Sequence, residues 1–168
     1  MLTINKLKYK KGNYMNINLN NLEETREFGE KLAKLLKAGD VICLNGDLGA
    51  GKTTLSKSIG QGLGVKEYIT SPTFTLINEY EGRIPLYHFD VYRLNSYEEL
   101  EDLGAEEYFY GNGVCLIEWA ENIIDDLPQE RLEVWITRGD LDSQRKVILK
   151  PFGHRYKTLV EELNIWRF

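Results

Sequence analysis

Between Val41 and Leu55 the chain runs through a short, mostly apolar strand-like stretch (Val41-Ile-Cys-Leu-Asn45), a glycine-rich loop (Gly46-Asp-Leu-Gly-Ala-Gly51-Lys52-Thr53) and the opening of a helix (Thr54-Leu55). The loop fits the spacing G-x-x-x-x-G-K-[ST], in which each fixed position has a physical duty. Gly46, Gly49 and Gly51 permit positive φ and, lacking side chains, let successive backbone N–H groups close around phosphate oxygens. Lys52 supplies a mobile point charge for β and γ oxygens, Thr53 a hydroxyl for a magnesium shell, and the new helix its positive dipole end. Gly46, Asp47, Leu48, Gly49, Ala50, Gly51, Lys52, Thr53 and Thr54 are thus expected to form a phosphate cradle. The run reads strand, glycine-rich loop, helix.

A chain of 168 residues is the size of one domain and can bury a proper core. The formal charge of -5 argues against sequence-independent capture of nucleic acid, which needs a basic footprint. No apolar run approaches the roughly 18 residues of a membrane span, and Met1-Leu-Thr-Ile-Asn-Lys6 lacks the apolar core of a signal peptide, so the cytoplasm is the default expectation. Cys43 and Cys115 lie inside apolar strand-like runs and read as small buried hydrophobes, not as a disulfide or metal pair.

Residues 1–14, with Lys6, Lys8, Lys10 and Lys11, show no helical period and read as an N-terminal extension, either an edge strand or a mobile arm; 15–168 form the domain. Asn20 or Asn21 caps a helix to about Lys37, with Phe28, Leu32, Leu35 and Leu36 as its packing stripe. Downstream of the loop helix, Pro72 leaves Ser71 and Thr73 on a loop, where the pair either stabilises a turn or senses a γ-phosphate. Phe74 to Tyr80 and Ile84 to Asp90 flank Glu81-Gly-Arg83 as an antiparallel hairpin.

His88 and Asp90 share one side of the second arm, so Asp90 is the first candidate to position a water near a γ-phosphate. His88 reads as a satisfied, semi-buried histidine and not a ligand, and Arg93 as either a charge stabiliser or a surface ion-pair partner. Ser96-Tyr-Glu-Glu99 has the form of a capping box opening a helix to about Leu103. Val114-Cys-Leu-Ile-Glu118 is four apolar residues ending in an acid, the way a buried parallel strand presents a carboxylate at its end. Glu118 is the second candidate, as a magnesium ligand completing the Thr53 shell, and Trp119 beside it is a core lid or a platform. Leu132 to Thr137 and Lys146 to Lys150 form two paired strands, His154 to Asn164 an amphipathic helix, and Trp166 and Phe168 leave two aromatics at the end.

In that order and at close spacing, the phosphate loop, Ser71-Pro-Thr-Phe-Thr-Leu76 with Asn78-Glu-Tyr80, Tyr87-His-Phe-Asp-Val-Tyr-Arg-Leu94 and Leu116-Ile-Glu-Trp119 strongly resemble the bacterial TsaE family, over about Met15 to Leu149. The resemblance implies a single-domain α/β fold, a P-loop NTPase-like mixed sheet flanked by helices, that binds ATP or ADP with Mg2+. It implies association with the TsaB and TsaD proteins in tRNA N6-threonylcarbamoyladenosine synthesis, where hydrolysis of ATP supports turnover and tRNA is met only through the complex. Thr53 and Glu118 resemble the family's magnesium ligands and Asp90 the residue needed for hydrolysis, alongside Lys52. Thr73 and Tyr80 fall in the switch-like segment, and Trp119 follows the metal acid. Two rivals have different signatures. A small-molecule kinase usually carries an arginine-rich lid, which the stretch Tyr80 to Gly111 lacks, and a non-catalytic nucleotide-gated scaffold would bind nucleotide and leave it intact.

Overall fold

The structure, a computed structural model, describes residues 14–72 and 74–165. Seven strands form one mixed sheet in the order β1-β7-β6-β2-β5-β4-β3. They are β1 (Met15–Leu19), β2 (Val41–Asn45), β3 (Ile77–Tyr80), β4 (Leu86–Asp90), β5 (Val114–Glu118), β6 (Arg131–Arg138) and β7 (Arg145–Phe152). The central strands β6, β2, β5 and β4 are parallel, and antiparallel partners flank them: β7 and β1 on one side, β3 on the other.

Every residue of β2 and of β5 is buried, because helices cover both faces of the sheet there. On one face α1 (Leu22–Leu35), α2 (Lys52–Gly62) and α5 (His154–Ile165) meet the strands, with Phe28, Leu32, Leu55, Ile59 and Leu159 against Ile42, Leu44, Leu116 and Val134. On the other, α3 (Tyr97–Glu101), α4 (Ala105–Phe109) and the 3-10 turns Ala120–Asp126 place Leu100, Phe109 and Ile123 against Cys43, Phe89, Cys115 and Ile117. Both cysteines are free and buried, and burial pushes both thiols up.

The ends of α1 show how local chemistry sets a boundary. Asn21 Oδ1 accepts from Glu24 N at 2.9 Å, and Glu24 reaches back to accept from Asn20 N at 2.7 Å, so two otherwise orphaned donors are satisfied. The helix stops at Leu35, two residues before the expected Lys37. Asp40 draws the chain out: it accepts from Lys37 N and is clamped by Arg155 of α5, each at 2.7 Å.

Several other expectations are revised. The first hairpin arm begins at Ile77, not Phe74, because Leu76 sits at φ 65 and donates its N–H to Pro72 O. Ser96 precedes α3 but its side chain makes no cap hydrogen bond, so the capping-box reading fails there. Helix α4, the turns at Ala120–Asp126 and strand β1 are additions to the expected elements; β1 carries the signal in its alternation, with Met15, Ile17 and Leu19 buried and Asn16 and Asn18 exposed. Residues 1–13, the terminal Trp166 and Phe168, and Thr73 lie outside the described residues.

Candidate active site at the carboxyl edge of the sheet

Parallel strands deliver their carboxyl ends to one edge, and here β2, β5 and β4 do so in register. Leu44 is level with Glu118, and Glu118 with Asp90. Partners across a parallel ladder share a face, so Glu118 and Asp90 both project toward the helix that follows β2.

The loop after β2 turns through positive φ at Gly46 (147°), Gly49 (77°) and Gly51 (110°). At Gly46 a Cβ would also stand 2.3 Å from Ile136 O of β6, so close approach and conformation both require glycine. Asp47 and Leu48 are exposed at the loop's crest, whereas Ala50 is buried beneath it. From the first turn of α2, the Thr53 hydroxyl donates to Glu118 Oε2 at 3.3 Å. Glu118 is 2% exposed, and its other oxygen accepts from Ser56 Oγ at 2.7 Å and lies 3.1 Å from His88 Nε2. Burial pushes the Glu118 carboxyl up, but His88, Ser56 and Thr53 outweigh it and hold the group below its ordinary value.

Lys52 is buried and folded onto its own loop. Its ammonium donates to Gly46 O and to Asp47 O, and stands 3.7 Å from the centre of the Trp119 ring. Burial pushes this ammonium down, against the pull of Glu121, Glu118, Asp47 and Asp90. Trp119 holds φ 63, an uncommon conformation for a large side chain, and its ring lies 4.7 Å from that of Tyr92. Trp119 also packs against the hydrophobic cluster on the second face of the sheet, so its ring lies between that core and Lys52.

Asp90 is 6% exposed with both oxygens engaged: Oδ2 accepts from Ser71 Oγ at 2.7 Å and Oδ1 from Tyr92 N at 2.9 Å. It therefore ties the loop before β3 to the end of β4. The Tyr80 hydroxyl braces the same loop through Thr70 N and O, at 3.3 and 3.4 Å. Arg93 is exposed, with its guanidinium 5.0 Å from the Phe74 ring. Thr73, between these residues, is not described.

The edge thus brings together a lysine, a threonine hydroxyl and two carboxylates beside the glycine-rich loop. The family model described as "Threonylcarbamoyl adenosine biosynthesis protein TsaE" matches residues 19–147, a span that contains every one of these groups. The chain belongs to the TsaE family.

A TsaE from Bacillus subtilis is 51% identical over 145 residues, covering 86% of this chain and 90% of that protein. One from Treponema pallidum is 50% identical over 125 residues, covering 74% and 92%. Both carry the name tRNA threonylcarbamoyladenosine biosynthesis protein TsaE. The crystal structure of Bacillus subtilis YdiB superposes with a TM-score of 0.80 at 43% identity, covering 95% of this chain and 97% of that one.

Five features of this TsaE chain are not legible in its sequence. Ser56, one turn beyond Thr53, reaches Glu118 only because α2 lies across β5. Glu121 accepts from Gly46 N at 3.2 Å, and its own N–H donates to Asn45 Oδ1 at 3.0 Å, knotting the start of the loop to the turn after β5. Arg145 Nε donates to Ala50 O at 2.6 Å, so the β6–β7 hairpin straps the loop from the other side. Beside that strap a cleft opens between Asp47, Leu48, Ala50, Thr137 and Arg138. Another cleft, at the amino-terminal strand ends, contains Asp40 and Arg155, whose ion pair is already engaged in ending α1.

Proposed function

We propose that this protein binds ATP with magnesium on the Gly46–Thr54 loop and hydrolyses it slowly, to support turnover of a TsaD–TsaB complex that makes N6-threonylcarbamoyladenosine in tRNA. The observation that carries this reading is the convergence of Lys52, Thr53, Glu118 and Asp90, from α2, β5 and β4, on one edge of the sheet. Phosphoryl transfer depends mainly on positioning and on stabilising charge, and this set is suited to both.

The donors fit the metal. Thr53 and Glu118 offer hard oxygen ligands, and among the described residues no three His, Cys, Asp or Glu side chains gather into a cage. Magnesium is commonly held in this way, by one or two protein oxygens together with phosphates and water. When bound, it neutralises charge on the phosphate oxygens. The chain's own groups do the remainder. Backbone N–H groups of the loop hold the phosphates, and Lys52 exchanges Gly46 O and Asp47 O for phosphate oxygens. Asp90 accepts a hydrogen bond from the attacking water and aligns it, while Arg93 and Thr73 respond to the γ-phosphate.

Exposed apolar side chains near the site support partner dependence. Leu48 (81% exposed), Phe74 (86%) and Tyr92 (53%) surround its mouth as large apolar surfaces in water, which suits a protein partner better than solvent. With an overall charge of -5, tRNA is reached through the complex and not directly, and neither DNA nor a membrane is a partner. Among the described residues no helix is long and apolar enough to cross a membrane; the proposed location is the cytoplasm.

The test is phosphate release from Mg-ATP by the protein alone and with TsaB–TsaD added. Release that rises with the partners and disappears in Lys52→Ala, Asp90→Ala and Glu118→Ala is the expected result. Full turnover in Asp90→Ala would remove its role, and nucleotide held intact with every partner present would leave a scaffold.

A further inference from the structure

His88 is completely buried, yet packing alone does not account for an imidazole at that position. Its Nε2 lies 3.1 Å from Glu118 Oε1, while Nδ1 is buried without a hydrogen-bond partner among the described residues. An unpaired buried nitrogen costs stability, and an apolar side chain would fill the same space without that cost. The one thing the imidazole supplies that leucine cannot is an N–H aimed at Glu118.

The two oxygens of Glu118 are treated differently. Oε1 receives two donors, His88 Nε2–H from β4 and Ser56 Oγ–H from α2 at 2.7 Å. Oε2 receives one long contact, 3.3 Å, from Thr53. A carboxylate gripped at one oxygen from two directions cannot swing about its terminal torsion, so its plane and the reach of the second oxygen are set before any ligand arrives. That second oxygen faces the Thr53 hydroxyl.

We infer that His88, with Ser56, is a positioning residue that presents Glu118 Oε2 to the divalent cation accompanying the bound nucleotide. The inference rests on the proposed role of Glu118 as a magnesium ligand. Because His88 and Asp90 sit on the same face of β4 two residues apart, one strand then sets both the metal ligand and the group that aligns water.

The test reads metal binding, not turnover: binding of Mn2+ to the full chain with ADP bound, followed by the loss of the free Mn2+ electron paramagnetic resonance signal, beside ADP affinity in excess chelator. Removing such an outer partner typically weakens metal binding about 10- to 100-fold. His88→Leu is expected to show a loss of that size with metal-free ADP affinity unchanged, and Ser56→Ala a smaller loss. His88→Gln, which returns an N–H close to the Nε2 position, is expected to bind Mn2+ nearly as the parent does. Circular dichroism confirms folding for each, and if His88→Leu does not fold, the comparison of Ser56→Ala and His88→Gln with the parent decides.

If metal-free and metal-dependent affinities fall together, His88 is only a packing residue and the inference is overturned. Mn2+ binding that disappears in Glu118→Gln but persists undiminished in His88→Leu and Ser56→Ala overturns the inference alone and leaves the Glu118 role standing. A parent protein whose ADP complex binds no Mn2+ overturns that role and the inference with it.

Discussion

At the level of single residues, two glycines of one loop face different constraints. Gly46 holds φ 147° with Ile136 O only 2.3 Å from where a Cβ would stand, whereas at Gly49 (φ 77°) the nearest atom is the mobile end of Arg138, at 2.7 Å. A backbone carbonyl inside a sheet cannot yield, but a guanidinium tip can. Gly46→Ala should therefore cost about 3 kcal/mol or more, and Gly49→Ala only the left-handed penalty of about 1 kcal/mol. Urea unfolding of the two variants checks the order, and equal midpoints would contradict it. The roles proposed for Lys52 and Thr53 rest on eight consecutive residues of fixed spacing. The reading of His88 as a satisfied, semi-buried histidine is revised: the residue is fully buried, and among the described residues its Nδ1 has no partner. Its burial follows from an inward strand position, but the partner of Nε2 lies thirty residues away, and no local pattern names it.

Among elements, edge strand β3 is pinned from outside by α4, where the Tyr108 hydroxyl donates to Glu79 at 2.6 Å. That bond, followed by burial, pushes the phenol up from 10.0 to about 12. A folded-state pKa raised in this way stabilises the fold fully below the unfolded value near 10; the contribution is lost as pH rises from there through about 12. Stability of the parent should accordingly fall more steeply with pH over that window than stability of Glu79→Gln, as followed by denaturant midpoints at stepped pH. Parallel slopes would show that the bond contributes nothing to β3. Element types were mostly readable from periodicity, as in α1, β5 and α5. Their limits were not: α1 ends where Arg155 of a distant helix captures Asp40, and α4 is five residues long, too short for a helical period to declare itself.

For the whole molecule, the site is a junction. Helix α2 and strands β2, β4 and β5 each contribute to it, so a ligand that holds them together opposes global unfolding and not merely local fraying. Mg-ADP at one hundred times its dissociation constant should add about 2.7 kcal/mol, on the order of 5–10 °C in midpoint for a domain of this size. A thermal scan with ADP, with and without magnesium, measures it. Chelation should remove part of the gain, and in Lys52→Ala the gain should shrink.

The sequence by itself determined the loop's glycine pattern, the family with its α/β class and the presence of two strand-end acids, because each of these is written in contiguous residues. Only the tertiary structure decided which strands are neighbours. It placed β5 and β4 in a register that sets Glu118 level with Asp90, and it laid α2 across them so that Ser56 and Thr53 meet one carboxylate. Strand order and register depend on how buried faces far apart in the chain fit together, and no stretch of sequence contains that fit.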